Sequence, residues 1–288
     1  MENILYLECY SGISGDMTVA ALLDLGARED VLQDVLNSLP LTGYEVKISR
    51  VKKSGIDACD FHVMLEQENH DHDMEYLYGH HHGDEEHNGG EHHHEDEHHH
   101  GDGHPHAHEH HHEHRGMKEI KDIIHAGVMT ENARAIALRI FDILACAEAK
   151  AHNVPYEEVH FHEVGAVDSI VDIISVAVCL DDLGITEVIV PSLYEGKGTV
   201  RCQHGILPVP VPAVANILQT YGIKVQIQDM EGEYITPTGA AIVAAVQTKD
   251  MLPKHFVIQK IGIGAGKRVY DGPGILRAIL IEEAEDAQ

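Results

Sequence analysis

The chain has 288 residues, enough for one large domain or two smaller ones with a sizeable core. Its 48 acidic and 20 basic residues give a formal charge of −28, which argues against a nucleic-acid or anionic-membrane partner. No apolar run reaches the roughly 18 residues of a membrane span. The start Met1-Glu2-Asn3-Ile4 lacks the basic opening of a secretory signal, and five cysteines without a C-x-x-C favour reduced thiols in a cytoplasm.

In chain order, Ile4-Leu5-Tyr6-Leu7 is a short apolar run typical of a buried strand. Cys9 follows, then the loop Ser11-Gly12-Ile13-Ser14-Gly15-Asp16 and a helix expected over residues 17–25. A loop between a strand and a helix points backbone N–H groups outward, so Ser11, Gly12, Ser14, Gly15 and Asp16 are candidates for holding a phosphate. Simple turn-and-cap chemistry is the competing explanation. Alternating runs at 44–51 and 61–66 predict strands.

The next segment breaks the composition. Nineteen of the 26 histidines lie between His70 and His114, with 13 Asp or Glu and no Lys or Arg. With few apolar anchors it cannot offset its ordering entropy, so disorder is expected. It contains four triplets: His80, His81, His82; His92, His93, His94; His98, His99, His100; and His110, His111, His112. Imidazole suits Ni, Cu, Zn and Fe, and a metal-binding tract explains this density better than a solvated linker does. The break divides the chain into an N-terminal βαββ segment (1–66), the His/acid-rich tract (67–116) and an α/β body (117–288).

In the body, helices are expected over 117–126 and 131–152, the second capped by Thr130 with Ile136, Ile140, Ile143 and Ala147 on one face. His160-Phe161-His162-Glu163 then places two imidazoles and a carboxylate within four residues. The helix expected over 168–183 is apolar except for one stripe, Asp168, Asp172, Ser175 and Cys179, spaced 4, 3 and 4 apart. Buried carboxylates need a cation or hydrogen-bond donors, so this stripe is expected to line an enclosed cleft. A polar turn with Asp168 as helix cap is the alternative. His160, His162, Glu163, Asp168 and Asp172 are the candidate catalytic or metal-holding set.

Further on, Gly196-Lys197-Gly198-Thr199-Val200-Arg201-Cys202-Gln203-His204 offers Lys197 and Arg201 to an anion, and Cys202 and His204 to a soft or borderline metal. A hairpin turn with an ordinary cysteine explains it equally. Thr236-Pro237-Thr238-Gly239 precedes an apolar helix expected over 239–247, which makes Thr236, Thr238 and Gly239 a second phosphate candidate. Gly262-Ile263-Gly264-Ala265-Gly266-Lys267-Arg268 fails both the P-loop and the dinucleotide patterns. The near-continuous apolar run at 275–281 predicts a strand, expected to leave an edge or patch that favours association. Strands and helices alternating through the body predict layered α/β or α+β architecture with mixed sheets.

Four ordered motifs resemble the LarC-type nickel insertion proteins: Leu5 through Met17, His160 through Asp172, Arg201-Cys202-Gln203-His204-Gly205 through Pro210, and Thr236 through Ala241. The histidine-rich insertion is similar too. The resemblance implies nickel insertion into pyridinium-3,5-bisthiocarboxylic acid mononucleotide, forming one Ni–C and two Ni–S bonds. It also implies coupling to CTP hydrolysis with Mg²⁺ or Mn²⁺, and delivery of the product to an apo racemase of the lactate racemase type. The family's long form has a further domain that binds the cytidine nucleotide and mediates homo-oligomerisation, so this chain resembles the first part. Two other classes compete. A nickel storage protein or metallochaperone needs only the tract and leaves the aspartate stripe unused. A nucleotide-driven chaperone for urease or hydrogenase needs the P-loop that 262–268 fails to supply.

Overall fold

The computed structural model describes residues 3–66, 115–161, 167–202, 205–268 and 272–284, together with the backbone but not the side chain of His160. Residues 67–114 of the tract lie outside them. Among the described residues, twelve strands and seven helices form mixed α/β layers. The strands are β1 (Asn3–Glu8), β2 (Tyr44–Lys53), β3 (Ile56–Leu65), β4 (Arg115–Gly116), β5 (His160–Phe161), β6 (Ile185–Ile189), β7 (Leu193–Lys197), β8 (Thr199–Cys202), β9 (Gly205–Pro208), β10 (Val225–Glu231), β11 (Phe256–Ala265) and β12 (Ile275–Glu283). The helices are α1 (Gly15–Leu25), α2 (Glu29–Ser38), α3 (Met117–Ala126), α4 (Glu131–His152), α5 (Val167–Asp182), α6 (Pro212–Tyr221) and α7 (Pro237–Val246).

A six-stranded sheet in the order β2-β3-β11-β12-β1-β6 joins strands from both sides of the tract. β1 runs antiparallel to β12 and parallel to β6, while β3 meets β11 in parallel at Cys59 and Gly264. Ile4 through Leu7 are all buried, as a strand covered on both faces requires. The expectation that the last strand leaves an edge is corrected. β12 lies inside the sheet, with Ile279 opposite Tyr6 on one side and Ile261 on the other. Its apolar run is satisfied by two neighbours and by burial.

One face of the sheet carries the main core. There α1 crosses β11 so closely that a Cβ on Gly264 would sit 2.0 Å from the Met17 carbonyl oxygen, and one on Gly262 2.2 Å from that of Ala21. Glycines at every second strand position clear one face for the helix. Ile170, Val171, Ile173, Ile174 and Val176 of α5 are fully buried. Each such side chain contributes roughly 1.5–3 kcal/mol. A smaller cluster, Ile4, Tyr6, Ile189, Ile279 and Ile281, lies on the opposite face under Leu252 and Phe256.

The expected cap of α4 is present: Thr130 Oγ1 accepts from the Ala133 amide at 3.0 Å. The sequence analysis missed α2, although Leu32, Val35 and Leu36 form its buried face and Glu29 and Asp30 its acidic first turn. The segment around Lys197 forms β7, parallel to β10, followed by the β8–β9 hairpin.

Candidate functional site

The two loops singled out as phosphate candidates meet in space. The Gly12 amide donates to the Cys9 carbonyl at 3.0 Å and closes a turn beyond β1, with Cys9 buried beside the loop. Gly12 has φ +83°, and a Cβ there would lie 2.0 Å from the Tyr234 carbonyl oxygen, so only glycine fits. The Ile13 amide donates to that same oxygen at 2.9 Å, and the Thr236 amide donates to the Ile13 carbonyl at 3.1 Å. Gly239 lets the start of α7 press on Ile13: a Cβ would come within 2.2 Å of its oxygen. The starts of α1 and α7 are therefore stitched side by side. The Thr236 hydroxyl serves as the α7 cap, accepting from the Gly239 amide at 3.0 Å.

Glu195 holds this junction from below. It is fully buried, and its Oε1 accepts from the amides of Gly196 (2.9 Å), Tyr234 (2.7 Å) and Ile235 (3.2 Å). Burial pushes its pKa up to about 7 against the pull of those three amides. Its Oε2 is buried with no hydrogen-bond partner among the described residues. Beside it, Arg268 binds the carboxylate of Glu233 and donates to its carbonyl at 3.0 Å.

The carboxylates converge at the start of α1. Ser14 donates to Asp16, and Asp172 of α5 lies against Gly15, whose Cβ would be 2.7 Å from Asp172 Oδ2. Burial raises the Asp172 pKa well above the carboxylate range, and the charges of Asp16 and Asp168 add to it. Lys267 and the Asp16 backbone amide oppose the rise. Asp16 is raised by burial as well, against Ser14, Lys267 and the Met17 amide. First-turn amides of α1 thus already face carboxylates. Lys267 sits in the turn after β11 and pairs with Asp60. Burial, and then Lys267, hold His62 below the ordinary imidazole range.

Asp172 of the predicted stripe thus faces the start of α1, at a protein-enclosed surface. Asp168 is in the first turn of α5, and Ser175 and Cys179 are buried below Asp172. Such a cluster can take up protons and attract a cation. Among the described residues no three His, Cys, Asp or Glu side chains are placed to hold a metal ion. His162, Glu163, His204 and all four histidine triplets lie outside the described residues, and His160 contributes only its backbone, paired with Gly116. Lys197 lies apart from the cluster's aspartates in its pairing: its partners are Asp229 and, at 3.9 Å, Glu231. Arg201 is exposed and Cys202 half-buried on β8, where Cys202 faces Gly205 of β9 across the hairpin.

Sequence reasoning missed Lys267, Asp60, His62 and Glu195. The signal for Lys267 was available in the alternate glycines before it, which mark where a helix crosses the strand. Glu195 carries none, because a single glutamate in an apolar strand reads as solvent-facing.

The whole of residues 5–288 matches the family model described as nickel insertion protein. The chain is similar to the pyridinium-3,5-bisthiocarboxylic acid mononucleotide nickel insertion protein of Alkaliphilus metalliredigens, 53% identical over 98% of this chain and 61% of that protein. Proteins of the same name from Clostridium acetobutylicum and Geobacillus kaustophilus are 45% and 40% identical, over 98% of this chain and 64% and 60% of theirs. No solved structure matches. The chain belongs to the nickel insertion protein family. It spans about three fifths of the length of these relatives.

Proposed function

We propose that this chain supplies the nickel-inserting part of an enzyme that metallates pyridinium-3,5-bisthiocarboxylic acid mononucleotide. The relatives' names support that substrate. The observation that carries the reading is the convergence of Asp16, Asp168 and Asp172 at the junction of two helix starts. Nickel is the substrate metal. Forming the Ni–C bond replaces one ring proton: the C–H electron pair goes to Ni²⁺, the proton leaves to a base, and no electron is gained or lost. A buried carboxylate group with raised proton affinity suits a site that must both attract a cation and take up a proton.

In this reading His160, His162, Glu163, Asp168 and Asp172 act on the reacting centre. The loops with Ser11, Gly12, Ser14, Gly15 and Asp16, and with Thr236, Thr238 and Gly239, border the nucleotide, and Lys197 and Arg201 serve its anionic groups. The histidine triplets, with Cys202 and His204, gather nickel. CTP with Mg²⁺ or Mn²⁺ drives the insertion from the portion of the relatives that this chain does not span. The product passes in the cytoplasm to an apo racemase, and the complete enzyme is a homo-oligomer. Nickel storage without chemistry accounts for the histidines but leaves the aspartate junction without a use.

The test is incubation of the chain with Ni²⁺, CTP, Mg²⁺ and the dithio-nucleotide, with and without the remaining portion of a relative. The readout is activation of apo racemase. Activation only with both parts, lost on His160→Ala, His162→Ala or Asp168→Ala, is the expected result. Full activation by all three variants would remove the assigned centre.

A further inference from the structure

Glu195 is a buried titratable group that the proposed chemistry does not use. It lies on β7, against the loop 232–236. That loop is pressed onto the strand. A Cβ on Gly196 would lie 2.1 Å from the Gly232 carbonyl oxygen, and the Gly232 amide donates to the Lys197 carbonyl at 3.0 Å. Across this contact Glu195 Oε1 holds the Tyr234 and Ile235 amides. On the far side of the loop, Ile13 and Ile235 form a parallel bridge, and the Tyr234 carbonyl accepts from the Ile13 amide. Just beyond Ile13, Gly15 packs on Asp172, and the Asp16 amide donates to the Asp172 carboxylate. A continuous series of hydrogen bonds and contacts therefore leads from one carboxyl group on β7, through both loops, to the aspartate cluster.

The two oxygens of Glu195 have unlike surroundings. Oε1 accepts from three amides, whereas Oε2 is buried with no hydrogen-bond partner among the described residues. The amides hold the loop in either protonation state, because the carbonyl oxygen of a neutral carboxyl group is an acceptor too. Ionisation, by contrast, leaves charge on an oxygen that nothing solvates. Glu233 adds repulsion, with Arg268 bound to it, and on β7 itself Lys197 is paired with Asp229 and Glu231. Burial outweighs the pull of the amides, which places the pKa at about 7. A negative charge directly behind the Tyr234 and Ile235 amides weakens the attraction of this junction for an anion.

We propose that Glu195 is a positioning residue for the nucleotide: one of its oxygens holds the loop 232–236 against the loop 11–15, and the other, when ionised, weakens the binding of the anionic substrate. This rests on the reading above that these loops border a pyridinium mononucleotide. It goes further in assigning the spacing of the two helix starts, and a control of their affinity by one proton, to a residue that does not touch the substrate.

The full chain should be titrated calorimetrically with pyridinium-3,5-biscarboxylic acid mononucleotide, a sulfur-free probe, at pH 6 and pH 8. Glu195→Ala leaves three amides unpaired and should weaken binding at pH 6 by about tenfold. Glu195→Gln keeps the acceptor and carries no charge, so it should bind within about threefold of the wild type at pH 6. Ionisation of Glu195 opposes anion binding, so wild-type affinity should fall between pH 6 and pH 8 by about fivefold more than that of Glu195→Gln. Titration of Asp16, Asp172 and the probe itself is common to both proteins and cancels in that comparison. Circular dichroism reports folding, and if Glu195→Ala does not fold, the comparison of wild type with Glu195→Gln decides alone. An equal loss of affinity in those two proteins would overturn the proposal while leaving the nucleotide reading intact, since a merely structural acceptor is replaced by the glutamine. A folded wild-type chain that does not bind the probe at either pH would overturn both.

Discussion

Gly15 and Asp172 touch across two helices: a Cβ on Gly15 would lie 2.7 Å from Asp172 Oδ2 and 2.8 Å from Asp172 Cβ. The absence of a side chain on α1 is what lets α5 present a carboxylate to the first-turn amides. Gly15→Ala should therefore destabilise the protein by about 1–3 kcal/mol, although alanine is the better helix former. Urea unfolding of Gly15→Ala, Asp172→Ala and the double variant measures the coupling. The double variant should cost less than the sum of the singles. Strict additivity would mean that the two residues do not press on each other.

Glu195 should give the folded protein a distinct pH dependence. Its folded pKa is about 7 against an ordinary 4.5. Below 4.5 it is protonated whether the chain is folded or not. Between 4.5 and 7 only the folded chain keeps the proton, so stability from this residue falls as pH rises through that window, by up to about 3 kcal/mol. Glu195→Gln keeps an acceptor for the three amides and removes the titration. Urea midpoints at pH 5 and 7.5 should fall less steeply with pH in this variant than in the wild type. Equal slopes would place the titration elsewhere.

Lys267 is the cation that opposes the raised pKa values of both Asp16 and Asp172. Lys267→Met should leave Asp60 without this partner and increase repulsion among the aspartates. A cost of about 1–3 kcal/mol is expected at pH 7.5. The cost should shrink as pH falls and the carboxylates with raised pKa values take up protons. Thermal unfolding at pH 7.5 and 5.5 checks the sign, and a larger loss at the lower pH would contradict it.

Excision of residues 70–114 should remove most bound nickel and leave the melting temperature of the remainder within a few degrees. Nickel binding by the intact chain should weaken as pH falls through about 6.5, where free imidazoles protonate. Equilibrium dialysis with and without the segment reads both effects. Unaltered nickel stoichiometry after excision would leave the histidines without a metal role.

Much of this architecture is written locally. The apolar run of β1 forms a buried strand because it is covered on both faces, and the Thr130 cap follows from one hydroxyl at one helix start. The 4-3-4 spacing of Asp168, Asp172, Ser175 and Cys179 fixes a single polar stripe, since helix geometry alone stacks those positions. What that stripe faces is decided only by tertiary structure. Ile13 and Thr236 are 223 residues apart, and their loops join through backbone hydrogen bonds that glycines at 12 and 239 permit. No local periodicity encodes such a meeting. Lys267 reaches the cluster because alternate glycines of β11 bring α1 against the strand. β12 lies inside the sheet because β1 and β11 both pair with it. An apolar strand sequence demands burial, but it does not name the two neighbours that provide it.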